Sequence, residues 1–232
     1  MGRYAMYILK ASIATGLLLT IAFGPTWCAA QVEGQALVQA RSFADSSLKS
    51  YVSQVIKANN ATRFGFKDVA EAQAAAIGDP IPVLFIGLRT LKSYRAGAGA
   101  ASVLTDAKTL WFPILANGTV VSKLEITEVQ GKWLAGEFGR ATLARKVAAV
   151  DRELPAALKT AGAGAPARTS LVRIPALSVE LLYTTGTTGD YFVPVQRGDL
   201  PADVEIGKAY PADALLVQLA AAAQKVDENK VR

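Results

Sequence analysis

Apolar and polar positions alternate along this chain with two different periods, and the changes of period mark its elements. Phe43, Leu48, Tyr51, Val52, Val55 and Ile56 recur at helical spacing. They predict a helix capped at Asp45 or Ser46 and stopped at Asn59-Asn60. "KDVAEAQAAAIG" reads as a second, short helix over Lys67–Ile77 ended by Gly78. Ile81–Leu88, rich in β-branched and aromatic residues, reads as a strand. The clearest block is "TLWFPILANGTVVSKLEITEVQGKWLAGEF", which divides into strands over 109–116, 119–128 and 132–138. Asn117-Gly118 is a strong hairpin signal because both positions tolerate positive φ, and Gln130-Gly131 is a weaker turn. Gly99, by contrast, reads as an unconstrained loop position. In the middle strand, Val121, Lys123, Glu125 and Thr127 are expected on one face, and Val120, Leu124 and Ile126 on the other. Pro113 implies that its strand is an edge or carries a bulge.

Leu143, Val147, Val150, Leu154 and Leu158 then predict a covering helix over 142–158, kinked or ended by Pro155. "KTAGAGAPAR", residues 159–168, has the composition of a linker. Beyond it, "ALSVELLY" and "DYFVPVQ" read as strands, and an apolar helix begins near Pro211-Ala212-Asp213. Trp111-Phe112-Pro113 and Phe192-Val193-Pro194 suggest two pseudo-repeated halves, each with a strand, an aromatic–Pro strand and a covering helix. The fold class is therefore α+β: a three-stranded antiparallel meander plus further strands, backed by helices. Residues 31–158 form its first part, and 169–232 add a hairpin and a C-terminal helix to the same domain or to a second.

The N-terminus changes the picture most. Arg3 and Lys10 precede the uncharged apolar run Ala11–Gly24, and "PTWCAA" places small residues at Cys28 and Ala30. This is the pattern of a signal peptide over 1–30, giving a mature chain that starts at Gln31 in the periplasm or outside the cell. A retained leader would instead be an anchor, the one route to a membrane. Bulky Trp27 before Cys28 argues against lipidation. Loss of Arg3 and Lys10 with the leader lowers the net charge from +6 to +4, and the only Cys leaves with them. Hydrophobic residues, 51% of the chain, supply enough core to fold without disulfides.

The chain has no His. That excludes Ser-His-Asp triads, Cys-His dyads, His-bound zinc and His-ligated haem. No cofactor or metal is expected. Cations are scattered; Arg140, Arg145 and Lys146 read as one helix face, without the interleaved aromatics of a nucleic-acid surface. Ser46 and Lys49 have Ser-x-x-Lys spacing, but the accompanying elements of penicillin-binding enzymes are missing. Asp199, Asp203 and Glu205, with the Arg197-Gly198-Asp199 tripeptide, read as a polar loop rather than a Ca²⁺ site.

"LLYTTGTTGDYF", Leu181–Phe192, resembles the nucleotide loop of adenylate-forming enzymes over about six residues. Those loops need a cation behind the glycine, whereas Gly189 is followed by Asp190, Tyr191 and Phe192. The stretch reads as a hairpin turn, and no nucleotide is expected. Gly78-Asp79-Pro80-Ile81-Pro82-Val83, Asn117-Gly118 and Gly131-Lys132-Trp133 together resemble bacterial exported proteins of unassigned function. That resemblance runs from Gly78 to the C-terminus and implies no activity.

Two classes of function remain. One is an exported, non-catalytic module that presents a sheet edge or groove to a protein or peptide, with Trp111 and Trp133 as candidate contacts. The other is a hydrolase using two carboxylates. Glu125, Glu128 and Glu137 are the acids of the well-defined sheet, and they read as solvent-facing. Converging carboxylates in a deep pocket would favour the enzyme, and a shallow apolar groove at a Trp would favour the binder.

Overall fold

The computed structural model describes residues 34–227. The leader, Cys28 and the expected mature start at Gln31 lie outside the described residues. Helix α1 (Gly34–Gln54) begins well before the predicted cap. Its buried stripe is Ala40, Ala44, Leu48 and Val52, so small alanines extend the apolar face upstream of the large residues. Ser46 is consequently mid-helix, and its hydroxyl donates back to the Ser42 carbonyl at 3.0 Å. The helix ends at Gln54, ahead of the predicted stop at Asn59-Asn60, and Asn60 braces the turn that follows. The Asn60 side chain accepts from the Lys57 N–H at 2.7 Å and donates to the Val55 carbonyl at 3.0 Å.

The second helix is shorter than its pattern: α2 covers Val69–Gln73, capped by Asp68, which accepts from the Glu71 N–H at 2.8 Å. The rest of the expected helix turns extended as β1 (Ala76–Ile77), because Ile77 pairs with Ile114 of a long neighbouring strand. Strand β2 (Ile81–Phe85) stops at Gly87, and Leu88 opens the short α3 (Leu88–Lys92). The meander follows as β3 (Thr105–Ala116), β4 (Thr119–Val129) and β5 (Lys132–Gly139), joined by turns at Asn117-Gly118 and Gln130-Gly131. All four turn residues have φ between 50° and 74°, as type I′ turns demand. Gly99 is not the unconstrained position its sequence suggests, since it holds φ 78° and ψ 152°.

Helix α4 (Ala141–Thr160) runs through Pro155 instead of ending there. Leu143, Val147, Val150, Leu154 and Leu158 are all buried on either side of the proline, and their packing outweighs one missing backbone bond. The chain continues as β6 (Thr169–Ile174), β7 (Val179–Gly186), β8 (Gly189–Gln196), β9 (Tyr210–Pro211) and α5 (Ala212–Ala223). A single sheet takes in both halves in the order β5-β4-β3-β2-β6-β7-β8-β9, with β1 paired beside β3. Among the described residues only the central β2–β6 pair is parallel. Outward from that pair each half runs through its strands in chain order. The structural counterpart of β2 is therefore β6, a strand the sequence pattern did not mark, and β7 corresponds to β3.

Pro113 lies on an interior strand, not an edge. It sits opposite the gap between β1 and β2, where no partner needs its N–H, and its carbonyl accepts the Gly78 N–H at 2.7 Å. A bulge one residue later, between Ile114 and Leu115, puts Val121 in excess on β4. That bulge corrects the predicted face assignment. Val121 packs with Leu124 and Ile126, whereas Val120 joins the opposite face. One face, carrying Val83, Trp111, Leu171, Leu182 and Val193, is covered by α4. The other is shared between α1 over the first half and α3 with α5 over the second. Among the described residues no helix is long and apolar enough to cross a membrane.

Candidate functional site

Glu125, predicted to face solvent, and Lys123 on the same strand face point beneath the α4 side of the sheet. Lys123 is 0% exposed, and its ammonium meets both Glu125 and Glu137. Arg173 of β6 grips both oxygens of Glu125, one of them at 3.0 Å from Nη1, and lies 3.4 Å from Glu180 of β7. Arg140 closes the circuit at 3.5 Å from Glu180 and 3.9 Å from Glu137. It does so from a left-handed backbone position just before α4, not from the helix face with Arg145 and Lys146. Strands β3 and β2 separate β4 from β6 in sheet order. Three strand spacings of a flat sheet span about 14 Å. The Glu125 and Arg173 side chains thus meet across the two intervening strands.

Three cations meet three carboxylates in this cluster, and their titration reflects it. Burial alone would raise the Glu125 carboxyl, but the Arg173 hydrogen bonds and the Lys123 charge outweigh it and hold it below its ordinary value. Glu180 goes the other way, because burial outweighs the pull of Arg140 and Arg173. Glu125 and Glu137 do converge, as a two-carboxylate hydrolase would need, but they converge on Lys123. Each is tied to a cation within the fold. The cluster links β4 and β5 of the first half to β6 and β7 of the second. Glu128 remains exposed, as expected.

The two candidate Trp residues part company. Trp111 is 1% exposed and packs under α4, out of reach of any partner. Trp133 is half-buried at the start of β5, the outermost strand of the sheet. There Val38, Ser42, Phe43 and Ser46 of α1 join Lys132 and Trp133 around an open groove of about 640 Å³. Val129 and Lys132 flank the two-residue turn and exchange both hydrogen bonds of a narrow pair, so the pairs alternate from there. Trp133 and Ala135 thus direct their N–H and C=O groups away from β4, toward the free edge. Farther along, the Tyr51 hydroxyl donates to the Gly136 carbonyl at 3.0 Å, and its ring stacks on Phe138. The open edge is therefore short and centred on Trp133–Ala135. The opposite edge, β9, is two residues long and includes Pro211.

The remaining candidates find structural roles. Ser46 is committed to the Ser42 carbonyl rather than to Lys49. Arg197 donates to the carbonyls of Val204, at 2.7 Å, and Ala202, so the Arg-Gly-Asp tripeptide is a loop brace. The Thr-Gly stretch is the β7–β8 turn. Its Thr187 and Thr188 hydroxyls donate to the carbonyls of Ala163 and Gly162 at 3.1 and 3.3 Å. The supposed linker is thus docked on this turn, with Ala163 fully buried. Among the described residues no cluster of metal-ligating side chains occurs. No family model matches the chain, and neither the curated proteins nor the solved structures contain a match.

Proposed function

We propose that the chain is an exported, non-catalytic interaction module that binds a protein or peptide partner as an extended strand added to β5. The observation that carries this reading is the outward-facing backbone of Trp133 and Ala135 beside the apolar groove at Trp133 and Phe43. Strand addition draws affinity from main-chain hydrogen bonds and specificity from pockets for alternate side chains. Natural sheets blunt edges they do not use, and β9 is blunted in this way with a proline. Export rests on the leader pattern of residues 1–30. Nucleotide has no place in this reading, since the threonine hydroxyls of the β7–β8 turn are spent on the 162–163 backbone.

Ala135→Pro tests it. Its N–H faces outward, so proline removes an edge donor without taking a bond from β4. An array of overlapping 12-residue peptides should show a bound subset for the unmodified protein that Ala135→Pro no longer retains. An array with no bound peptides, or one read identically by both proteins, would refute strand addition.

A further inference from the structure

Resting on strand addition at β5, we infer that the partner segment is a run of consecutive apolar residues ended by a carboxylate, not an alternating amphipathic strand. Successive side chains of an added strand fall on opposite faces of the sheet. On the α1 face of this edge they would meet Trp133, Phe43 and Val38, the last of these 68% exposed. On the α4 face they would meet Leu134, 51% exposed, and Val129, 46% exposed. Thr127 pairs with Leu134 and shares a face with Val129, so these two side chains lie together beyond the cover of α4. An edge half-buried in the ordinary way is apolar on one face and polar on the other. This one carries exposed apolar side chains on both, with Lys132 beside Leu134 on the α4 face, so an alternating peptide would set its polar side chains against Leu134 and Val129. Lys132 borders the groove at the end nearest the β4–β5 turn, and its register opposite Val129 sets its side chain on the α4 face beside Leu134. Glu128 lies opposite Trp133, one strand farther from the edge. The carboxylate therefore belongs at the Lys132 end of the apolar run.

The experiment uses fluorescein-labelled 12-residue peptides and anisotropy. The parent carries four consecutive Val and Leu residues followed by Glu within a Gly-Ser frame. In a second peptide, alternate apolar residues are Ser; in a third, Glu is Lys; in a fourth, alternate backbone nitrogens of the run are methylated. The parent should bind at least tenfold more tightly than the alternating peptide, and Leu134→Ser should bring the two together. Lys132→Glu should weaken the parent about tenfold and restore binding of the Lys peptide. Both substituted positions are exposed, and circular dichroism checks that the variants fold. Equal binding of parent and alternating peptide, or indifference to the charge swap, would overturn this inference while leaving strand addition standing. Failure of every peptide, or full binding of the methylated one, would overturn strand addition itself.

Discussion

Replacing Lys123 with Met removes the cation at which Glu125 and Glu137 meet while keeping most of the aliphatic stem. Breaking a buried ion pair by deleting one partner costs about 3–5 kcal/mol, because the stranded charge stays desolvated. Two features of this cluster lower the figure. Arg173 continues to hold both oxygens of Glu125, and the Glu137 side chain, 46% exposed, can rehydrate. Methionine also fills the lysine stem's volume, so the cavity penalty is small. The cost at neutral pH should be about 3 kcal/mol, or about 10 °C in Tm for a chain of this size. Its pH dependence has a defined sign. Glu125 has a lowered native pKa, so its contribution is full above the ordinary carboxylate value and is lost as pH falls through the lowered one. Glu180, with a raised native pKa, contributes in the opposite sense, growing as pH falls through its raised value. Without Lys123 both carboxyls are easier to protonate in the native state, so the variant's penalty should shrink on acidification. Urea unfolding at pH 7 and near pH 3.5 measures this, and adding Glu137→Gln should recover about 1 kcal/mol by removing a stranded carboxylate. A penalty below about 1 kcal/mol at pH 7, or one equal at both pH values, would refute the reasoning.

Gly118 has φ 74° with open space around it, so backbone conformation rather than size sets the cost of a side chain there. Gly118→Ala should lose about 1 kcal/mol, and the larger but left-handed-tolerant Asn should lose less; thermal unfolding that ranks them the other way would contradict the type I′ turn. A Cβ at Gly186 would stand 2.5 Å from the Ala163 carbonyl oxygen. Gly186→Ala should therefore cost about 1–3 kcal/mol and expose residues 161–168 to limited proteolysis, whereas unchanged protection would mean that this segment does not depend on the β7–β8 turn.

The meander was legible because its signals are local. Asn117-Gly118 and Gln130-Gly131 each specify a turn through their own backbone preferences, and the strands between them follow. The errors arose where tertiary pairing overrode local pattern. Ala76 and Ile77 continue a helical composition yet lie extended against β3, and Pro155 sits inside a helix because packing on both sides holds it. Alanines 40 and 44 carry the start of α1, although a reading weighted toward large apolar residues passes over them. Strand β6 was missed despite Leu171, Val172 and Ile174, because the flanking glycines and prolines suggested a linker. The ion cluster was the least legible feature. Lys123 and Glu125 alternate with Leu124 and Ile126 as a solvent-facing charge row would, and nothing local shows that Arg173 reaches them from β6. Trp133, by contrast, could be nominated from sequence because its strand closes a recognisable meander. Nothing local distinguished it from the buried Trp111.

Unequal strand lengths give the β5 edge its character. From the central β2–β6 pair the second half runs outward through strands of at most eight residues and ends at the two-residue β9. The first half runs outward through strands of 12 and 11 residues, so its hairpins reach beyond the helices that cover them. Helix α4 packs over Leu171, Leu182 and Val193, and among the described residues Leu134 and Val129 near the far end of the β4–β5 hairpin stay about half exposed. Helix α1 covers the other face only as far as Phe43 and Val38. Among the described residues, an apolar tip exposed on both faces thus accompanies long strands and helices packed toward the centre. The cluster at Lys123 bears on this edge, because Arg173 and Arg140 tie β4 and β5 to the second half. A variant that loosens the cluster without unfolding the chain, such as Glu137→Gln, should therefore change peptide affinity at β5, although residue 137 lies past the Tyr51 cap and outside the groove. Unchanged affinity in a variant with lowered stability would separate the cluster from the edge and confine it to holding the halves together.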